Sequence, residues 1–228
     1  TYNGEKFLRE QVDSLLAQSY PSLEFVFVDD ASSDSSLAIL QEYSSKDVRI
    51  RLIANPVNQG LLATFETGIR TAKGDMIALS DQDDVWMPKK ICLLAGAIGG
   101  NSLIYADSAL TDAAGAVTGK FSDMNHLCDY PSALHYVFGT KAMGHAMLFK
   151  RDIIDLALPF PDYVGHDYIL GFAAASLNGV RYLPETLVNY RQHSSNTMGA
   201  DLSKGKKNYT TREERNARIV KRMELIAE

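Results

Sequence analysis

Apolar positions along the first part of the chain alternate between two spacings. From Glu5 to Gln18, Phe7, Leu8, Val12, Leu15 and Leu16 fall on one helical stripe, with Asn3 placed as a cap and Pro21 closing the segment. Glu24-Phe25-Val26-Phe27-Val28 is continuous, aromatic and β-branched, which predicts a strand covered on both faces and stopping at Asp29-Asp30. Ser32 and Ser33 are placed to cap a second helix reaching about Tyr43, and Ile50 to Ala54 reads as the next strand, closed by Asn55-Pro56. Asn58-Gln59-Gly60 opens a third helix to about Ala72, and Met76 to Leu79 is another buried strand running into Asp81-Gln82-Asp83-Asp84. Such alternation predicts parallel strands joined by right-handed crossovers, with a ligand beyond their carboxyl ends. Both acidic clusters stand at such ends.

Past Pro88 the pattern predicts a helix to about Ile98 and a strand from Leu103 to Ala106 ending at Asp107. It then loosens: Gly115 to Ser132 reads as loop, Ala146 to Phe149 as a strand, and Asp167 to Leu177 as a buried helix. Val180 to Leu183 and Thr186 to Tyr190 read as short strands either side of Pro184. With 228 residues, 46% hydrophobic and 22% charged, the chain can enclose one sizeable core, and disorder or a disulfide scaffold is excluded. No run approaches the roughly 18 apolar residues of a membrane helix. Cys92 and Cys128 lack metal or redox spacing and point to a reducing, cytoplasmic setting.

Charge changes this picture. Residues 1–202 carry 15 Lys and Arg against 24 Asp and Glu, whereas Ser203 to Arg222 holds eight against two. An acidic body argues against nucleic acid as a partner. The tail places Ile219, Met223 and Ile226 at helical spacing among basic residues, so residues 203–228 are expected to form a basic amphipathic helix, packed on its own domain or touching the inner face of a membrane.

Asp81, Asp83 and Asp84 crowd one strand-to-loop corner, where a hard divalent ion such as Mg²⁺ or Mn²⁺ would relieve their repulsion and could hold a diphosphate. A solvated Asp-rich turn reads the same way in isolation. Asp29-Asp30 could accept from a base N–H or a ribose hydroxyl, or could start a helix. Asp167 could cap the helix that follows it, and Trp86 reads as core.

Taken jointly, Thr1-Tyr2-Asn3-Gly4, Val28-Asp29-Asp30-Ala31-Ser32, Asn58-Gln59-Gly60, Lys73-Gly74-Asp75 and Ser80-Asp81-Gln82-Asp83-Asp84-Val85-Trp86-Met87-Pro88 resemble family 2 glycosyltransferases of the GT-A fold. Gly165-His166-Asp167-Tyr168 and Tyr190-Arg191-Gln192-His193-Ser194-Ser195-Asn196 extend the likeness, whose D-Q-D-D-V-W form is similar to bacterial rhamnosyltransferase-type members. The resemblance implies an α/β three-layer sandwich with a mixed, mostly parallel sheet over residues 1–202. It also implies a strand ahead of Thr1 that this sequence does not contain.

By the same resemblance, Asp167 is the catalytic base. Thr1, Tyr2, Asn3, Asp30, Asn58, Gly60 and Asp81 contact the nucleotide, and Asp81, Asp83 and His193 hold Mg²⁺ or Mn²⁺. Gly144, His145, His166 and Arg191 lie on the acceptor or phosphate side, with no definite role for His145. The implied activity is inverting transfer of a sugar from a UDP- or dTDP-sugar to a saccharide or lipid-linked acceptor. A nucleotide-sugar-binding domain without activity and a sugar-nucleotide nucleotidyltransferase are the competing readings; the latter expects a Gly-rich basic loop that Asn3-Gly4-Glu5-Lys6 does not supply.

Overall fold

The computed structural model describes residues 1–139 and 142–193; the tail expected over 203–228 and the Ser194-Ser195-Asn196 end of the last motif lie outside them. The chain opens with α1 (Glu5–Leu16), β1 (Phe25–Asp29), α2 (Ser36–Lys46), β2 (Ile50–Ala54), α3 (Leu61–Thr71) and β3 (Met76–Ala78), close to the alternation read from the pattern. β4 (Val85–Trp86), α4 (Lys90–Ala97), β5 (Leu103–Thr111), β6 (Val117–Lys120) and α5 (Ala133–Gly139) follow. β7 (Met147–Lys150), α6 (Ile154–Ala157), α7 (His166–Leu177) and β8 (Val180–Arg191) complete the described part.

β1 and β2 form a parallel pair, with Phe25 opposite Ile50. A larger sheet runs β3-β7-β5-β8-β4, with β6 on β5. It is mixed, as expected, but less parallel past β3 than the alternation implies. β7 inserts antiparallel between β3 and β5, so these two co-directional strands never pair, and β5–β8 is the parallel pair of this sheet among the described residues.

Alternate residues of β5 show why helices must lie on both faces. Leu103 and Tyr105 enter one core with Phe149, Leu170 and Ala174, while Ile104 and Ala106 enter the other with Leu8, Leu40 and Leu94. These side chains are almost wholly enclosed, and each Leu, Ile or Phe among them contributes about 1.5–3 kcal/mol. The result is the expected three-layer arrangement, helix–sheet–helix.

Several local expectations give way to tertiary structure. Asn3 does not cap α1: Gly4 holds that position, and the Asn3 carboxamide oxygen accepts from the Ser33 N–H instead. α2 starts at Ser36 rather than after Ser32, because Asp34 takes the Ser36 N–H through its carboxylate. β5 continues through Asp107 to Thr111. Pro184 does not divide β8: pairing with β5 steps from Ala106–Leu183 to Asp107–Thr186, so Pro184 and Glu185 bulge out where no ladder donor is needed.

Candidate active site

The acidic turn joins β3 to β4 and is fixed from the far end of the chain. Arg191, the last residue of β8, donates its backbone N–H to Asp84 Oδ1 (3.1 Å), its Nε–H to the Asp83 carbonyl (3.0 Å) and an Nη–H to the Ala113 carbonyl (3.2 Å), and another Nη–H reaches the Glu10 carboxylate. The guanidinium also lies 4.7 Å from the centre of the Phe7 ring. The buried Arg191, expected on the phosphate or acceptor side, thus also holds the turn. Two residues on, His193 Nε2 sits 2.8 Å from Asp83 Oδ2, with the imidazole packed on Phe7 at 4.8 Å.

Behind the turn, Asp84 and Lys90 are fully enclosed and His145 nearly so. Burial raises Asp81 to about 7, helped by the charges of Asp83 and Asp167. Burial likewise drives Asp84 well above the carboxylate range, with Asp81 and Asp83 adding to it. Burial, reinforced by Lys90, lowers His145 to about 3. The imidazole is therefore neutral, and its Nδ1 approach to Asp84 Oδ2 at 3.8 Å is neither an ion pair nor a hydrogen bond. His145 Nε2 instead meets Ser108 Oγ at 2.9 Å, and the ring stacks on Tyr190 at 4.3 Å.

The amino-terminal residues close one wall. Tyr2 N–H donates to Gln82 Oε1 (2.7 Å) and Gln82 Nε2 donates back to the Tyr2 carbonyl (3.0 Å). A Cβ at Gly4 would stand 2.7 Å from Gln82 Cδ, so glycine is what lets the amide lie there. Thr1 runs beside β1, its N–H on the Val28 carbonyl and its carbonyl on the Asp30 N–H. Asp30 accepts from Asn55 Nδ2 and from the Gln59 and Gly60 N–H groups, each at 2.8 Å, while Asn58 Nδ2 reaches the Asp30 carbonyl. Burial is the largest influence on Asp30 and pushes it up, but these bonds together hold its carboxyl below the usual range. Gly60 turns into α3 with φ +86°, a conformation that favours glycine. Asp30, Asn58 and Gly60 thus brace one another, and the Tyr2 side is the open one, at 49% exposure.

On the opposite side, Asp167 is the second residue of α7, whose N-cap is Gly165, and its carboxylate accepts the Tyr168 N–H of that first turn at 2.8 Å, so it supports the helix start as well as facing the acidic turn's charge. His166 stacks on Phe65 at 4.3 Å and is held below the imidazole range by burial, against the opposing charge of Asp167. A single turn, Gly144–Ala146, joins the two halves: His145 stands beside Asp84, and a Cβ on Gly144 would lie 3.0 Å from His166 Nε2 and 3.6 Å from Asp167 Cβ. Asp83 and Asp167 both lie close enough to Asp81 for their charges to raise it, so the acidic turn and the start of α7 are neighbours.

Two donor sets could take a cation. Ligand atoms of Asp81, Asp84 and His145 lie within 4.8 Å of one another, but Asp84 is sealed and the set already faces the Lys90 ammonium. Asp83 and His193 keep 13% side-chain exposure each, which leaves access for a partly hydrated ion and a diphosphate. Carboxylate with imidazole suits Mn²⁺ better than Mg²⁺, which favours an all-oxygen shell. Sequence reasoning missed Gln82, Glu10 and Lys90. The Lys89-Lys90 pair reads as a solvated helix start, and only the fold buries the second lysine.

Residues 1–154 match the family described as Glycosyl transferase family 2. The chain belongs to that family. Among glycosyltransferase relatives, the putative glycosyltransferase EpsH of Bacillus subtilis is 32% identical over 85% of this chain and 59% of its own length. The chain spans about three fifths of the length of the curated relatives it matches. Two glycosyltransferases share its GT-A fold: S. aureus TarS in complex with UDP-GlcNAc (TM-score 0.67, 20% identity, 86% of this chain and 58% of that one) and the mannosyltransferase PcManGT from Pyrobaculum calidifontis in complex with GDP-Man and Mn²⁺ (TM-score 0.64, 16% identity, 86% and 56%). No helix among the described residues is long and apolar enough to cross a membrane.

Proposed function

We propose that this family 2 glycosyltransferase moves a hexose or deoxyhexose, rhamnose among them, from a UDP- or dTDP-sugar to a saccharide or lipid-linked acceptor, with inversion, in the synthesis of cell-surface polysaccharide. The observation that carries the reading is the Gly144–Ala146 turn: His145 stands beside Asp84, and a Cβ on Gly144 would meet His166 and Asp167, so the Asp167 side chain and the acidic turn flank one short segment. The nucleotide-sugar complexes of the two structural neighbours support the donor class. A putative teichuronic acid biosynthesis glycosyltransferase, TuaG of Bacillus subtilis, 34% identical over 91 residues, supports the polymer class.

The exposed Tyr2 ring would stack on the base, with Thr1 and Asn3 beside it and the braced Asp30 loop behind them. Asp81, Asp83 and His193 would hold Mn²⁺ or Mg²⁺, which when bound neutralises charge on the departing diphosphate. The Asp167 carboxylate accepts the proton of the acceptor hydroxyl as the acceptor oxygen bonds to the anomeric carbon; the bond from that carbon to the phosphate oxygen breaks, and its electron pair leaves with the nucleoside diphosphate. Attack from the face opposite the leaving group inverts the centre.

Incubation with Mn²⁺, a panel of UDP-, dTDP- and GDP-sugars, and saccharide or polyprenyl-linked acceptors tests this. One nucleoside diphosphate should be released per sugar transferred, with the anomeric configuration inverted by NMR. Donor binding without hydrolysis or transfer on any acceptor would sink the reading in favour of a binding domain.

A further inference from the structure

Lys90 opens α4 with its side chain wholly inside the protein. Burial strips its ammonium of water, and the helix N-terminus repels a cation. Burial accordingly holds Lys90 well below its ordinary value. What compensates is local: the Asp84 and Asp81 carboxylates draw the charge, the Trp86 ring centre lies 3.3 Å from Nζ, and Nζ donates to the His145 carbonyl. That last bond matters for the cleft. The His145 ring is already fixed to β5 through Ser108 and to β8 through Tyr190, while its backbone is tied to α4, just past the acidic turn, by Lys90. The next residue back, Gly144, lies so near α7 that a Cβ on it would stand 3.0 Å from His166 Nε2 and 3.6 Å from Asp167 Cβ.

We propose that Lys90 is a positioning residue for sugar transfer: by holding the His145 carbonyl it sets the Gly144–Ala146 turn, and through that turn Asp167, at a fixed separation from Asp81 and Asp83. The proposal rests on the reading above, in which Asp167 takes the acceptor proton. A plain counter-charge for the acidic turn is the competing role, and it would show in donor binding instead.

Lys90→Met fills nearly the same space without a charge or an N–H. Turnover in transfer should fall about 100-fold while donor KM, and donor Kd measured by calorimetry with Mn²⁺, change by no more than about twofold. Amide exchange at residues 144–147 should accelerate. Should that variant not fold, Lys90→Ala assayed with added propylammonium serves, with part of the lost turnover restored by the amine. Unchanged turnover, unchanged exchange, or a loss of donor affinity as large as the loss of turnover would overturn the proposal. If the wild-type protein transfers no sugar, the functional reading fails; exchange at residues 144–147 in Lys90→Met still decides whether Lys90 holds the turn.

Discussion

His193 Nε2 lies 2.8 Å from Asp83 Oδ2 across 110 residues of chain. A carboxylate and an imidazole brought together at a cleft, each with some exposure, form half of a divalent-ion shell, and the diphosphate and water can supply the rest. Asp83→Ala and His193→Ala should each weaken nucleotide binding in Mn²⁺ by about tenfold or more, and chelation with EDTA should bring the wild type to their level. Calorimetry with and without the ion checks this; equal affinity in both conditions for the wild type would reject the site.

Asp167→Asn keeps the size and the backbone geometry of α7 and removes the base. Transfer should drop by about 10²–10⁴-fold, with donor Kd unchanged. Rates from released nucleoside diphosphate against acceptor concentration give the answer, and turnover at the wild-type level would remove Asp167 from the chemistry.

Gly4→Ala places a methyl 2.7 Å from Gln82 Cδ and must expel the amide from its paired bonds with Tyr2. A loss of about 1–3 kcal/mol is expected from such crowding, together with weaker nucleotide binding, because Tyr2 loses its tether. Gln82→Ala should show the binding defect with a smaller stability loss. Denaturant melts and calorimetry on both variants separate the two effects, and a Gln82→Ala protein with wild-type nucleotide affinity would show the tether to be irrelevant to binding.

The buried His145 gives the protein a defined response to acid. Its folded value, about 3, lies below the ordinary 6.5 because burial and then Lys90 disfavour the charge. The unfolded chain thus takes up a proton that the folded one refuses. Stability from this residue is complete above 6.5 and is lost as pH falls toward 3, by about 2 kcal/mol between pH 7 and pH 5. Asp81 and Asp84, both raised, tilt stability the other way in the wild type and in a His145→Gln variant alike. The difference in slope between the two proteins should therefore isolate the histidine in urea melts at the two pH values; parallel slopes would mean His145 titrates in the folded protein.

The early half of the fold was legible because its strands are continuous apolar runs closed by Asp, Asn and Pro, and its helices carry one clear stripe. Past Asp107 legibility fell. β5 runs on through polar Asp107, Ser108 and Thr111, which are buried and satisfied by Ser122, His145 and the Tyr190 carbonyl, a condition that local pattern cannot reveal. α5 carries Leu134 and Phe138 outward and buries Tyr136 beside Gly171, so no inward apolar stripe announced it. Motif order picks out the acidic turn, His193 and Asp167 as candidates, whereas the hold of Arg191 on the turn could not be read from the sequence. Its partners are backbone carbonyls and Glu10, and carbonyls leave no mark in a sequence.

Arg191 also sets the order in which competence is acquired during synthesis. Its partners Glu10, Asp83 and Asp84 emerge from the ribosome 181, 108 and 107 residues ahead of it. A nascent chain that has not yet threaded β8 beside β5 possesses the carboxylates but not their arrangement, since closure of such long loops comes late. The shape of the acidic turn is accordingly a property of the chain complete through β8, and a chain interrupted before Arg191 retains the acidic residues without the grip.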